Sequence, residues 1–281
     1  MEKKIGIIGF GNMGQAIAEY AKKDFNIIVF DKAKEINNES IEVANNLLEL
    51  LEKSKAIILA VKPQDIPNLL EEIKDNFKKI KDTSKNPLII SMAAGIPTKY
   101  FEKKLEGFRV VRVMPNMPAQ IGWGVSGLYK GEFADEQDFD LAWQLFSRVG
   151  IAKDFNDENM LDAITAISGS GPAYFCYYIK DVAEKDMPKA TSDFVHDLTQ
   201  AAISIGFTDE TFAANIAKQT VDGTISLLKE KKWSYEELIE KVASKKGTTE
   251  AALNILRNGG SLKEAVLAAK KRAEELRVDF V

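Results

Sequence analysis

The chain has 281 residues, of which 45% are hydrophobic and 28% charged; it can hold two compact domains, and a disordered or fibrous polymer is excluded. Its net charge of −4 comes with no block of like charge, which argues against nucleic acid as a partner. Cys176 and His196 are the sole cysteine and histidine, so a disulfide within the chain, a thiolate or histidine metal site and a Ser-His-Asp triad are not expected.

Met1 to Lys4 leads directly into a strand-like run, and no apolar run reaches the roughly 18 residues of a membrane span. No signal peptide and no membrane partner are expected, and a reducing, cytoplasmic location follows. Through about residue 157, short runs rich in Ile and Val alternate with longer mixed stretches. The runs Ile5 to Ile8, Ile27 to Phe30, Ile57 to Val61, Leu88 to Met92 and Val110 to Met114 read as parallel strands covered on both faces. This is the pattern of an α/β doubly wound, Rossmann-like sheet over residues 1–157.

The first strand runs into Gly9-Phe10-Gly11-Asn12-Met13-Gly14 and then into a helical pattern. Strand, glycine-rich turn and helix together form the dinucleotide fingerprint: Gly9 for the tight turn, Gly11 for approach to a pyrophosphate, Gly14 for close helix packing. Asp31 ends the second strand, where an acid binds ribose hydroxyls; the alternative is a turn aspartate. Lys32 and Lys34 stand beside it, so both NADH and NADPH stay open, with the acid favouring NADH or dual use. Ala60-Val61-Lys62-Pro63 ends another strand at the carboxyl edge, as a ligand contact or as a plain turn. Ser91-Met92-Ala93-Ala94-Gly95 offers small side chains beside which a flat ring or ribose fits. Val113 to Ala119, with Pro115 and Pro118, is a rigid loop at the same edge.

Residues 158–281 read as all helix. Leu262, Ala265, Val266, Ala269, Ala273 and Leu276 form one apolar face, and Ser261 with Glu264 makes a capping box before it. His196 is expected on a solvated helix face. Ile164 to Tyr174 contains Ser168-Gly169-Ser170-Gly171-Pro172, with Pro172 suited to a helix's first turn; a plain helix-helix turn is the other reading. Ser244-Lys245-Lys246-Gly247-Thr248-Thr249-Glu250 precedes a helix whose backbone N–H groups suit a carboxylate, although Thr248 as a simple N-cap explains the same residues.

In this order, Gly9 to Gly14, Ala60 to Pro63, Met114 to Ala119, Thr165 to Tyr174 and Gly247 to Thr249 resemble the signatures of the pyrroline-5-carboxylate reductase family, over nearly the whole chain. The resemblance implies a Rossmann domain, a helical domain that dimerises with its twin, and reduction of a cyclic imine carboxylate by NADPH or NADH. It further implies that Ile8, Gly9, Phe10, Gly11, Asn12, Met13 and Gly14, with Asp31, Ala60, Val61, Lys62, Pro63, Ala94, Gly95 and Ile96, line the dinucleotide. Ser244, Gly247, Thr248 and Thr249 would receive the substrate, with the Thr249 hydroxyl donating to the imine nitrogen as it becomes an amine. The sequence departs from the family at Lys245 and Lys246, which replace a proline and a glycine, and at Met117 and Trp123, which replace threonine and glutamate. The stretch from Tyr174 to Gly206 reads as longer than the family's, with an added helical turn or hairpin. A related imine or β-hydroxyacid reductase and a non-catalytic dinucleotide sensor are the alternative functions.

Overall fold

The structure, a computed structural model, describes residues 4–80 and 86–278. In chain order its elements are β1 (Lys4–Ile8), α1 (Asn12–Ala21), β2 (Ile27–Phe30), β3 (Glu42–Val43), α2 (Leu47–Lys53), β4 (Ser54–Leu59), α3 (Ile66–Phe77), β5 (Leu88–Ser91), α4 (Thr98–Lys104) and β6 (Arg109–Met114). There follow β7 (Gly124–Lys130), α5 (Glu136–Ser147), β8 (Gly150–Asp154), α6 (Met160–Ile164), α7 (Gly171–Ile179), α8 (Met187–Ser204), α9 (Glu210–Lys231), α10 (Tyr235–Val242), α11 (Thr248–Arg257) and α12 (Leu262–Val278).

The strands form a sheet in the order β3-β2-β1-β4-β5-β6-β7-β8. Parallel registry runs from β3 to β6, with Ile7 of β1 opposite Val29 on one side and Ile58 on the other. The Ile and Val runs are buried because helices cover both faces of a parallel sheet; Ile7, Ile28, Ile57 and Ile89 are fully enclosed. After β1 the chain moves to one side for β2 and later returns to the other side for β4. That reversal opens a crevice at the carboxyl ends of β1 and β4, the switch point at which such sheets bind ligands. All five expected strands are present. Three more were not anticipated: β3, with only two exposed residues; β7, which carries two glycines; and β8, which is half-buried and short of apolar residues.

The chain divides into two compact units. One comprises the residues up to Val113 together with Leu128–Val149; the other comprises Met114–Gly127 and the residues from Gly150 onward. A single boundary near residue 157 therefore differs from the observed division. The cause is packing of the proline-rich loop on α9, where a Cβ at Gly223 would lie 2.6 Å from the Trp123 carbonyl oxygen and 2.8 Å from Pro118.

The helical unit has its own core, in which Phe175 and Phe194 meet edge to face at 5.3 Å. From α12 it receives Ala265, Val266 and Ala269, and Ala273 of the same face is also buried, as read from the sequence. Ser261 and Glu264 form the expected reciprocal cap, through Ser261 N–H to Glu264 at 2.7 Å and Glu264 N–H to Ser261 at 3.3 Å. His196 is exposed on α8. Among the described residues no helix is long and apolar enough to cross a membrane.

Candidate functional site

In the sheet unit, the candidate site is built on the turn from β1 to α1. Gly9 has φ +95°, and a Cβ there would meet the Ala60 carbonyl oxygen at 2.7 Å. A Cβ at Gly14 would lie 2.1 Å from the Gly9 carbonyl oxygen, so only glycine lets α1 start this close to the strand. Gly11 is different: a Cβ there would find no neighbour within 4 Å. It is exposed, as is Asn12, while Met13 is half-buried. Helix α1 begins at Gly11 with no side-chain cap and no acid in its first turn. An open glycine edge at an uncapped, positive helix end is a fitting cradle for a pyrophosphate. The turn is held from outside by Gln15, whose Nε2 donates to the Phe10 carbonyl at 2.9 Å.

Asp31 stands at the end of β2 and accepts from the Phe10 backbone N–H at 2.7 Å, which ties the second strand to the glycine turn. Its other oxygen accepts from Ala33 N–H at 2.9 Å and Lys34 N–H at 3.1 Å. The turn role is thus filled, and with three of a carboxylate's roughly four acceptor sites used, one remains for a further donor. Lys32 is engaged elsewhere, with Nζ 2.7 Å from Glu72. At the adjoining edge, Ala60 N–H donates to Ile8 O at 2.8 Å, so Ala60 and Val61 leave β4 beside Gly9, with Lys62 exposed and Pro63 half-buried. Ala94 is half-buried after β5, Gly95 turns with φ +75°, and the Ile96 side chain packs into the core.

In the helical unit, Ser168 to Tyr174 is not a plain helix-helix turn. Helix α6 runs on through a π-helical turn, Thr165–Gly169, into α7. The wide turn is closed by Ser170 N–H donating to the Thr165 carbonyl at 2.9 Å. Such insertions displace one residue from the regular helical face and recur at functional sites. The displaced residue here is Ser170, almost fully buried, whose Oγ accepts from the Thr249 hydroxyl at 2.9 Å and lies 3.1 Å from the Thr248 hydroxyl. Gly171 follows because a Cβ would press on Thr220 at 2.9 Å. Burial pushes the Tyr174 phenol above its ordinary value, and the neighbouring Ser170 opposes that shift.

Thr248 and Thr249 form the first turn of α11, whose N-terminus at Gly247 has no side-chain cap. Thr248 is thus drawn to Ser170 rather than acting as the cap. Ser244 shapes the approach: its carbonyl accepts from Gly247 N–H at 2.9 Å, and its Oγ lies 2.2 Å from where a Gly247 Cβ would be. The structure therefore joins Ser244, Gly247, Thr248 and Thr249 to Ser170 in one cluster. Sequence reasoning did not identify Ser170 as their partner; the Ser-Gly-Ser-Gly-Pro motif was the available signal. Asn116 was also missed. Buried after β6, it donates to the Ser168 carbonyl at 3.1 Å and accepts from Val125 N–H at 2.8 Å, pinning the proline-rich loop to the motif.

Known proteins share both the sequence and the fold. Residues 187–276 match the family described as "Pyrroline-5-carboxylate reductase dimerisation", and residues 4–95 match "NADP oxidoreductase coenzyme F420-dependent". The dimerisation match begins at α8. The chain is 33% identical to the pyrroline-5-carboxylate reductase of Methanosarcina acetivorans, with 98% of each chain covered. It is 33% identical to that of Aquifex aeolicus, with 97% of each covered. Among solved structures, a pyrroline-5-carboxylate reductase from Coxiella burnetii superposes with a TM-score of 0.60 at 28% identity, covering 98% of both chains. A Plasmodium falciparum pyrroline carboxylate reductase with NADP bound has the same fold, with a TM-score of 0.60 at 24% identity and 98% of both chains covered.

Proposed function

The chain belongs to the pyrroline-5-carboxylate reductase family; it is an NAD(P)-dependent oxidoreductase that reduces 1-pyrroline-5-carboxylate to proline, and we propose that it receives the dinucleotide on the β1–α1 turn and the substrate at the head of α11. The observation that carries this assignment of residues is the Ser170–Thr249 hydrogen bond at an otherwise uncapped helix start.

Gly9, Gly11 and Gly14 with the first N–H groups of α1 hold the pyrophosphate, and Asp31 accepts from a ribose hydroxyl. Ala60 to Pro63 and Ala94 to Ile96 form the walls, Ile96 through its backbone, since its side chain is in the core. A reduced nicotinamide held there would supply a hydride to the imine carbon. The N–H groups of Gly247 to Thr249 bind the substrate carboxylate at the positive end of α11. Thr249 gives its hydrogen to Ser170 rather than to the imine nitrogen as the sequence led us to expect, so its oxygen lone pairs are left for the N–H of the protonated imine. Hydride addition to that cation leaves a neutral amine, so no side chain has to supply a proton in the step. The chemistry asks chiefly for donor and acceptor carbons about 3 to 3.5 Å apart with water excluded.

The three backbone bonds to Asp31 and the Lys32–Glu72 pair support NADH or dual use over strict NADPH dependence. Dimerisation through the helical unit, in a cytoplasmic setting, completes the reading. The test is dinucleotide oxidation, followed by loss of the reduced-nicotinamide absorbance, with pyrroline-5-carboxylate, comparing NADH with NADPH in wild type and in Gly247→Ala. Turnover that survives unchanged in Gly247→Ala would remove the substrate site from α11.

A further inference from the structure

We propose that Arg272, on α12, is a positioning residue for the substrate-receiving turn, acting by holding Lys246 in a left-handed conformation. The inference rests on the proposed substrate site at the head of α11 and names what keeps that site in shape.

Ser244 to Gly247 form a four-residue turn closed by Gly247 N–H donating to Ser244 O at 2.9 Å. Its third residue, Lys246, has φ +59°. That position in such a turn suits glycine, because in an L-residue with a left-handed backbone the Cβ crowds the following carbonyl. Left to itself, a lysine there favours other conformers. Here its peptide groups are gripped from both sides. The Glu250 carboxylate accepts from the Lys246 N–H, and Arg272 Nε donates to the Lys246 carbonyl at 2.8 Å. Arg272 is itself steadied by Glu275, one turn on, at 2.9 Å.

A rotation at Lys246 would be transmitted to its neighbour. Gly247 has no slack against Ser244, whose Oγ fills the place of a Cβ at 2.2 Å, so the displacement passes to the N–H groups of Gly247, Thr248 and Thr249. The fraction of molecules with these groups aligned sets the apparent affinity for the carboxylate. Arg272 raises that fraction through Lys246 and belongs to neither half of the reaction itself.

The experiment is a double-substitution cycle read as KM for pyrroline-5-carboxylate. Arg272→Met keeps the aliphatic stem and removes the donor; KM is expected to rise about tenfold, with the dinucleotide KM and the melting temperature steady. In a Lys246→Gly background, where the left-handed conformer is free of the Cβ penalty, the same substitution is expected to move KM by less than about threefold. Arg272→Gln, which keeps an N–H donor, is the second variant should methionine disturb α12, and it should give an intermediate KM. An unchanged KM in Arg272→Met, or an equal rise in both backgrounds, overturns the proposal; the latter would mean ordinary packing of α12. Gly247→Ala measured alongside separates the two levels. If it raises KM while Arg272→Met does not, the positioning role alone fails; if neither moves KM, the substrate site at α11 fails and takes the positioning role with it.

Discussion

Replacing Thr249 with valine tests the substrate site with the least disturbance of shape. The side chain is nearly fully buried, and its hydroxyl donates to Ser170 at 2.9 Å. Valine fills the same volume, and Ser170 keeps the Thr248 hydroxyl at 3.1 Å as a partner, so no buried oxygen is stranded. The loss to stability is then one neutral hydrogen bond, about 0.5 to 1.5 kcal/mol. The loss to catalysis is larger if the Thr249 oxygen accepts from a protonated imine, since hydrogen bonds to charged groups contribute about 1.5 to 3 kcal/mol. In rate terms that is a fall in kcat/KM of about tenfold to a hundredfold. Steady-state kinetics with saturating dinucleotide measures it, and dinucleotide binding followed by fluorescence checks that the other half of the enzyme is intact. A variant with kcat/KM within about twofold of wild type would refute the role given to this hydroxyl, because even the weakest such bond exceeds that margin.

Gly14→Ala places a methyl 2.1 Å from the Gly9 carbonyl oxygen, a backbone atom that cannot step aside; dinucleotide binding measured by calorimetry should be lost while the helical unit's circular dichroism persists. Asp31→Ser should shift the ratio of kcat/KM values toward NADPH by removing like-charge repulsion of a 2′-phosphate, and should weaken both cofactors through the lost Phe10 tie. If the unmodified enzyme already prefers NADPH by about a hundredfold, Asp31 serves only its turn. Burial, with Glu236 adding to it, pushes the Cys176 thiol up to about 12 from 9.0. The folded state thus favours the protonated thiol, so this contribution is complete below about pH 9 and is lost as pH rises toward 12. Urea melts across that range should show wild type losing stability faster than Cys176→Ala, and equal slopes would contradict the burial effect.

The parts of the fold that the sequence revealed are those in which one local rule sufficed. β1, β2, β4, β5 and β6 are near-continuous apolar runs because both of their faces are covered, with Arg112 of β6 a buried exception. The glycine turn was readable because Gly9 needs a left-handed backbone, with φ +95°, and Gly14 is dictated by the Gly9 carbonyl five positions before it. Strands β7 and β8 were hidden for the opposite reason. In β7, Gly127 is required by Leu161, Ile164 and Phe155, which lie well beyond it in the chain, and in β8, Gly150 has φ +142° against the Gly124 backbone. Their glycines record distant packing and dilute the strand signal. The substrate half followed the same division. Gly247, Thr248 and Thr249 stand together as a motif, whereas Ser170 reaches them across 79 positions of sequence by way of a π-helical turn that no periodicity announces.

That division bears on how the proposed site would work through hydroxyls and backbone N–H groups. The cluster at the head of α11 consists of hydroxyls and backbone N–H groups, and Tyr174 beside it is held protonated by burial. Hydroxyls and N–H groups recognise by direction, and direction depends on backbone placement more than on side-chain identity. A site of this kind is therefore sensitive to the devices that fix the backbone: the π-helical turn that presents Ser170, the glycine at 247, and the grip of Glu250 and Arg272 on Lys246. Exchanging a hydroxyl should lower the rate by the strength of one hydrogen bond, whereas disturbing one of these supports misaligns several donors at once. The residues that govern substrate affinity are thus expected to extend beyond those that touch substrate, along the supports of α11.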